Sequence, residues 1–492
     1  MPILYMSLSG SYLGKKGYTV FKKELSPSQL KKIKQDLTVK PFSTHSAEVS
    51  YPVYRESETK LYLPRYYGEE EFGKAESRLS LGKRIDVAFQ GNLFDYQKEI
   101  TRKFIQHATE HGGGLLDVEP GKGKTVMGLH IISQLKCKTL VIVHKTFLLN
   151  QWLERIQTFL PGAKVGRIQG DLIDVEGKDI VLGMLQSLSN KTYAPEMWET
   201  FGLCVFDECH HLSAEVFSNV MIQVVTPYNL GLSGTMTRKD GLSKVFKYFI
   251  GPVIHKEKSD LETEVQVKAI RFQNSDLFEH VKTDHKGQPL YSCLITKLND
   301  ADRNGILVAV LKRELETQPE QQVMILSHTK AMIHDLFERI QSFESSVGYY
   351  LGGMKEEALK ESESKRIILG TYAMASEGLD IKTLTTLFLV TPKSDVCQSV
   401  GRILRSKDHQ PVVVDFVDES SVFESQYQKR RKYYQSKRYV IQEYEHFRAY
   451  LENRPKVQKE RKASESKREC LVKGEGLDKS ECLIKPVCLI KI

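Results

Sequence analysis

The chain is poor in the features that would place it in a membrane or outside a cell. No uncharged apolar run comes near the roughly 18 residues that span a bilayer, so a membrane protein is not expected. Cysteine is sparse, eight in 492 residues, and no C-x-x-C pair occurs. A disulfide framework and a zinc ribbon are therefore both disfavoured, and a reducing compartment fits. The opening MPILYMSLSG has neither a basic start nor a long apolar stretch, which makes a poor secretory signal. What remains, 40% apolar and 27% charged residues, is the composition of a globular protein rather than a disordered one.

What is present is length enough for about three domains. Residues 1–88 mix a Lys-rich helical stretch, SPSQLKKIKQDL, with short Tyr-rich segments broken by Pro41, Pro52 and Pro64, and read as a small mixed accessory domain. Across 89–256 the apolar runs TLVIVH, DIVLGM and LCVFDE alternate with longer amphipathic stretches, the pattern of a buried parallel sheet covered by helices. Residues 257–300 are polar and read as a linker. A second series, VMILSH, RIILGT, TTLFLVT and PVVVDFVD, occupies 301–420, so the fold class expected is α/β, with two such units in tandem. A basic helical extension at 421–453 and a charged tail at 454–492, expected to be mobile, complete the chain. Cys470, Cys482 and Cys488 recur in that tail in CLVK, CLIK and CLIK, without the paired spacing or His partner of a metal site.

The net charge of +9 is unevenly placed. Residues 1–40 hold eight lysines against Glu24 and Asp36, and YQKRRKYYQSKRY (427–439) holds six basic residues and no acid. Two readings of the second cluster stay open. Its cations, with Tyr433, Tyr434 and Tyr439, grip phosphates and stack on bases, or the tyrosines pack on the domain while the cations are solvated.

The stretch LLDVEPGKGKTVMG (115–128) has the strand, glycine-rich turn and helix in which backbone N–H groups hold phosphate oxygens. Pro120, Gly121, Lys122, Gly123, Lys124 and Thr125 would form the cradle, with Lys124 reaching the β- and γ-phosphates and Thr125 binding Mg²⁺. Val118 stands where the usual pattern has its first glycine, so a chance glycine-lysine turn is the competing reading. In LCVFDECHHL an apolar strand ends in Asp207 and Glu208, which suits one carboxylate to Mg²⁺ and the next to the attacking water. Cys209-His210-His211 offers zinc ligands by type, but adjacent residues rarely converge on one ion.

In this order the motifs resemble those of superfamily 2 helicases of the DExH type, whose phosphate loop often has a small or apolar residue at the position of Val118. The resemblance runs from Leu93 to Val417. LFDYQKEI is similar to the adenine-reading segment and gives that role to Gln97. VIVHKTFLLNQW resembles motif Ia and GMLQSL the strand segment after motif Ib, although Met184 stands where a threonine is frequent. LSGTMTRKDG is similar to the coupling motif, with Ser233 and Thr235 in that role, Gly234 replacing an alanine, and His210 in the same network. TYAMASEGLDIKTL resembles motif V, which implies Gly378 and Asp380 at the nucleotide or the nucleic-acid backbone. QSVGRILR is similar to Q-x-x-G-R-x-x-R, which puts Gln398 at the nucleotide and makes Arg402 and Arg405 arginine fingers. Finer features resemble the XPB-like and UvsW-like branch and, more closely, helicases of large cytoplasmic DNA viruses involved in late transcription.

The resemblance implies two RecA-like domains that close on ATP and Mg²⁺ and move along nucleic acid. Catalysis would fall to Lys124, Asp207, Glu208, Arg402 and Arg405, with DNA preferred over RNA. The expected place is intracellular, cytoplasm or nucleus, or the virion if the source is viral. A duplex translocase that separates no strands, an RNA helicase and a non-hydrolysing scaffold are the alternatives.

Overall fold

The computed structural model describes residues 10–40, 50–119, 121–208, 214–234, 242–256, 264–273, 275–285, 287–377, 381–403 and 409–456. Two large parallel sheets organise this part of the chain, and both arise from the apolar runs. Thr139–Val143, Ile180–Met184 and Leu203–Asp207 are buried at every position. A strand with no solvent face has to be covered on both sides, which requires helical crossovers and parallel pairing.

The first sheet runs, among the described residues, in the order Leu172–Asp174, Val165–Gln169, Ile180–Met184, Thr139–Val143, Leu203–Asp207, Tyr228–Ser233, Gly113–Asp117 and Val253–Lys256. Every pairing in it is parallel except that of Leu172–Asp174 with Val165–Gln169. The second sheet, parallel throughout, runs Val347–Tyr350, Ile367–Thr371, Val323–Ser327, Thr386–Leu389, Val412–Asp418, Gln266–Phe272 and Val440–Tyr444. Each sheet with its helices forms one lobe.

The stretch 257–300, expected to be a linker, contributes structure to the second lobe. Gln266–Phe272 lies between Val412–Asp418 and Val440–Tyr444, and Leu294, Ile295 and Leu298 are buried in the same core. Its strand character is hidden in the sequence because Lys268 interrupts the apolar pattern. That lysine is buried, and its charge is met by Glu314 at 2.7 Å.

The basic stretch follows the packing reading for its tyrosines and for exposed Lys429, Lys432 and Arg438, and departs from it at Arg430 and Arg431. Arg430, on the helix Ser421–Ser436, is buried and makes two 2.8 Å bonds to Asp415, a carboxylate inside the apolar strand Val412–Asp418. Tyr434 donates to the same carboxylate at 2.9 Å, and Tyr433, Tyr434 and Tyr439 pack together. Arg431 pairs with Glu443 at 2.8 Å. The helix is held to its lobe by these bonds, and its tyrosines serve the core.

The accessory sheet is small and mixed: Arg55–Glu56, Lys60–Leu63, Gly17–Phe21, Tyr12–Gly14 and Glu76–Ser77 in order. The Lys-rich stretch folds as the helix Pro27–Asp36, started by Ser26 and Gln29 in a reciprocal cap with Pro27 in the first turn. Between this sheet and the first lobe, Ile85 and Val87 are buried in the first lobe's core. The Lys83 amide donates to the Thr200 carbonyl at 2.8 Å, and the Lys138 amide to the Lys83 carbonyl at 2.7 Å.

Candidate active site at the edge of the first lobe

Parallel strands in register bring their C-terminal ends to one edge, so the candidate residues converge there by topology. Asp117 pairs with Ser233, and Asp207 with Leu232. The loop after Asp117 then turns into the helix Lys124–Leu135. Gly121 and Gly123 have φ of +86° and +79°, a region that only glycine enters without strain. A Cβ on Gly123 would also lie 2.5 Å from Gln97 Nε2. Val118 has a packing role at the position where the usual pattern has a glycine. Its amide donates to the Ser233 carbonyl at 3.0 Å, a bond any residue here could make, and its side chain is fully buried in the first lobe's core, which a glycine would leave unfilled.

Lys124 leads the helix and turns back into the loop. Its ammonium lies 3.1 Å from Glu208 Oε1 and 3.4 Å from the Val118 carbonyl. Asp207 is buried beside it. Burial, with the neighbouring Glu208 charge, raises its carboxyl above the usual range, while bonds from Trp152 and the Glu208 amide and the charge of Lys124 oppose the shift. Glu208 itself has φ of +48°, a left-handed conformation that an L-residue with a long side chain rarely adopts. The sharp turn ends the strand and puts Glu208 beside Lys124. Asp117 is also raised by burial, against the pull of Lys256 and Lys124.

Gln97 lies buried on the helix Asp95–His111 with both ends of its amide engaged. Its Oε1 accepts from the Phe94 amide at 3.1 Å, and its Nε2 donates to the Lys122 carbonyl at 3.0 Å. Tyr96 donates to that same carbonyl at 3.1 Å, and its ring lies parallel to exposed Phe94 with centroids 5.9 Å apart. Sequence reasoning missed this aromatic pair; the signal was two rings flanking Gln97 closely. It also missed Trp152, whose Nε1 donates to Asp207 Oδ2 at 2.8 Å.

The second lobe meets the loop through residues not expected there. Lys437 pairs with Glu119, inside the loop stretch. The helix Cys397–Ile403, which bears Gln398 and half-buried Arg402, starts at the same place. Burial pushes the Cys397 thiol up, and the charges of Asp395, Lys437 and Glu119 bear on it. Gln97, Gly121, Lys122, Gly123, Lys124, Thr125, Asp207, Glu208 and Ser233 thus gather at one edge of the first lobe, with Arg402 and Gln398 on the helix that approaches it. Pro120, His210, Thr235, Gly378, Asp380 and Arg405 lie outside the described residues, as do Cys209 and His211.

A second set of groups lines the ends of other strands. His144, Lys145 and Thr146 follow Thr139–Val143, with Gln186 Nε2 donating to the His144 carbonyl at 3.1 Å and Gln169 Nε2 to Thr146 Oγ1 at 3.3 Å. Burial lowers the Lys145 ammonium. In the second lobe His328 and Lys330 hold the equivalent place after Val323–Ser327, and Lys330 donates to the Gly352 carbonyl at 3.2 Å.

Comparison with known proteins gives the family. Residues 90–238 match the family model described as type III restriction enzyme, res subunit, and residues 306–407 match the helicase conserved C-terminal domain. A protein of Acanthamoeba polyphaga mimivirus named as an ATP-dependent RNA helicase is 35% identical over 447 residues, which cover 87% of this chain and 86% of that one. The chain belongs to the superfamily 2 helicases. This helicase is also similar to a protein of Invertebrate iridescent virus 6 named as a helicase, 24% identical and covering 86% of this chain and 98% of that one. A DNA 3'-5' translocase of Sulfurisphaera tokodaii is 24% identical over 66% of this helicase and 81% of its own length. The crystal structure of T4 UvsW covers 85% of this helicase and 96% of its own chain, at 18% identity and a TM-score of 0.33. The family and its relation to viral helicases, expected from the motifs, are borne out, and the helicase is an ATP-hydrolysing enzyme. No helix among its described residues is long and apolar enough to cross a membrane.

Proposed function

We propose that this helicase uses Mg²⁺·ATP at the edge that carries Lys124, Asp207 and Glu208 to drive movement along DNA. The observation that carries the reading is the Lys124–Glu208 pair beside buried Asp207. A cation waiting on a carboxylate at the mouth of a glycine loop is what an incoming triphosphate would compete for. The fit to nucleotide rests on that pair and on the positive φ of Gly121 and Gly123, which keeps the loop free of side chains. Thr125 and Asp207 supply the hard oxygen donors that Mg²⁺ prefers.

Bound Mg²⁺ would neutralise phosphate charge and orient the γ-phosphoryl group. The chain's own residues do the rest. Lys124 leaves Glu208 for the phosphates, and the released Glu208 carboxylate is then able to accept a proton from the attacking water. Arg402, and Arg405 by resemblance, bring guanidinium charge from the second lobe to the transition state. Gln97 and the Phe94–Tyr96 pair sit where a base would meet the loop. His144, Lys145 and Thr146 in one lobe and His328 and Lys330 in the other form the track for the nucleic-acid backbone, with Ser233 joining the track to the phosphate loop through its bond to Val118.

DNA is favoured over RNA by the likeness to the translocase of Sulfurisphaera tokodaii, while the mimivirus protein's name favours RNA. ATP hydrolysis measured alone and with single-stranded DNA, duplex DNA and RNA tests the choice. Stimulation by DNA above that by RNA is expected, and stimulation by RNA alone would overturn the DNA reading. Duplex-only stimulation without strand release would make it a duplex translocase.

A further inference from the structure

Trp152 does more than fill the core. The helix Thr146–Phe159 begins directly after His144 and Lys145, and Trp152 lies six residues into it, roughly 9 Å along the axis at 1.5 Å per residue. Its side chain is 1% exposed, and its single donor is spent on Asp207 Oδ2 at 2.8 Å. The rim of the indole rests on the phosphate-loop helix. A Cβ added at Gly128 would lie 3.1 Å from the ring's Cη2, and 3.3 Å from Leu232 Cδ1 of the strand that ends in Ser233. One side chain therefore rests against the loop helix, in the core that also holds Leu232, and donates to the carboxylate at the end of Leu203–Asp207.

We infer that Trp152 is a positioning residue through which nucleic acid at the start of its helix sets the orientation of the Asp207 carboxylate. This rests on the proposal that residues 144–146 meet the nucleic acid and Asp207 holds Mg²⁺. The helix is rigid over two turns, so a shift of its first turn carries the indole with it. The indole cannot move without dragging or releasing Oδ2, because a buried carboxylate that loses a donor is left undersatisfied. Packing and hydrogen bonding separate cleanly here, since phenylalanine keeps an aromatic ring in the same space and lacks the N–H.

The chain holds two tryptophans, and the other, Trp198, packs with Tyr193 and Phe201 away from Asp207. In Trp198→Phe protein, Trp152 is therefore the lone indole reporter. Its emission is expected to shift when Mg²⁺ and ADP are added, and again when a DNA oligonucleotide is added without nucleotide. Trp152→Phe is expected to raise the Mg²⁺ concentration for half-maximal binding of fluorescent ADP by about 10- to 100-fold, the usual effect of losing a partner behind a metal ligand. It should also flatten the stimulation of ATP hydrolysis by DNA while DNA affinity stays at the wild-type value. A Trp152→Phe protein with wild-type Mg²⁺ dependence and wild-type stimulation would overturn the inference. So would an emission unmoved by both ligands, a result that stands even if Trp152→Phe fails to fold. Asp207→Asn, run beside it, isolates the underlying reading: unchanged Mg²⁺ dependence there would remove Asp207 as the metal ligand, whatever Trp152 does.

Discussion

Lys437, just beyond the long helix of the second lobe, is ion-paired with Glu119 in the phosphate loop of the first. Both side chains are about four-fifths buried, with exposures of 20% and 21%, so the pair is shielded from full solvent screening. Asn150 and Glu356, 3.2 Å apart, make another bridge between the lobes. Reversing Lys437 to Glu or Glu119 to Lys should each alter ATP affinity, and the double reversal should recover most of it. A double-mutant cycle on ATP binding is expected to give a coupling of about 0.5–1.5 kcal/mol. Strict additivity would mean that the pair does not participate in closing on nucleotide.

The Lys124–Glu208 pair predicts two different failures. Lys124→Ala should weaken nucleotide binding and abolish turnover. Glu208→Gln should bind ATP near the wild-type level and hydrolyse it at least about 10²-fold more slowly, because only the proton acceptor is lost. Binding and single-turnover hydrolysis distinguish them, and equal hydrolysis by wild type and Glu208→Gln would remove Glu208 from its role.

Asp207 makes a pH prediction whose sign follows from burial. Its folded pKa is raised above that of the unfolded chain. Such a carboxyl costs no stability at pH below the unfolded value, and its cost grows as pH rises from the unfolded to the folded value, above which it is complete. Asp207→Asn should therefore melt higher than wild type at pH 8 without metal, and the advantage should vanish near pH 4. Calorimetry across that range checks it. A variant that melts no higher at pH 8 contradicts the assigned cost.

The buried bond between Arg430 and Asp415 changes what mutation of the basic stretch can report. Removing one member of a buried pair leaves the other charge uncompensated, at a cost of about 3–5 kcal/mol. Arg430→Gln should lower the denaturation midpoint sharply, whereas Lys429→Gln and Lys432→Gln should leave it nearly unchanged. Urea unfolding of the three variants tests this, and a stable Arg430→Gln protein would show that Asp415 finds another partner.

The sequence made the two sheets legible because their strands are continuous apolar runs, and it made the loop and the acids legible because they stand in the order and spacing of a recognisable motif set. It hid what depends on partners far along the chain. Lys268 reads as a break in a strand until Glu314 is seen opposite, and Arg430 reads as a surface charge until Asp415 is found within PVVVDFVD. The best available hint was an acid inside an otherwise apolar strand, which demands a buried cation. Trp152 stands within a motif, but nothing in sequence spacing connects it with Asp207, 55 residues further along the chain. The aromatic pair beside Gln97 was visible as letters, and only the helix geometry turned Phe94 and Tyr96 into parallel rings at the loop.

With the role proposed for Glu208, its left-handed backbone would set chemistry against durability at one position. Glycine would adopt that conformation freely, and asparagine more readily than glutamate, so local energy favours residues that cannot accept the water's proton. A population of this helicase selected only for heat resistance would therefore drift toward silent variants at 208 early, keeping the fold and discarding the motor. In the role proposed for Glu208, glutamate would persist there only while hydrolysis is itself under selection, which would make this single turn a place where the history of use is written into the backbone.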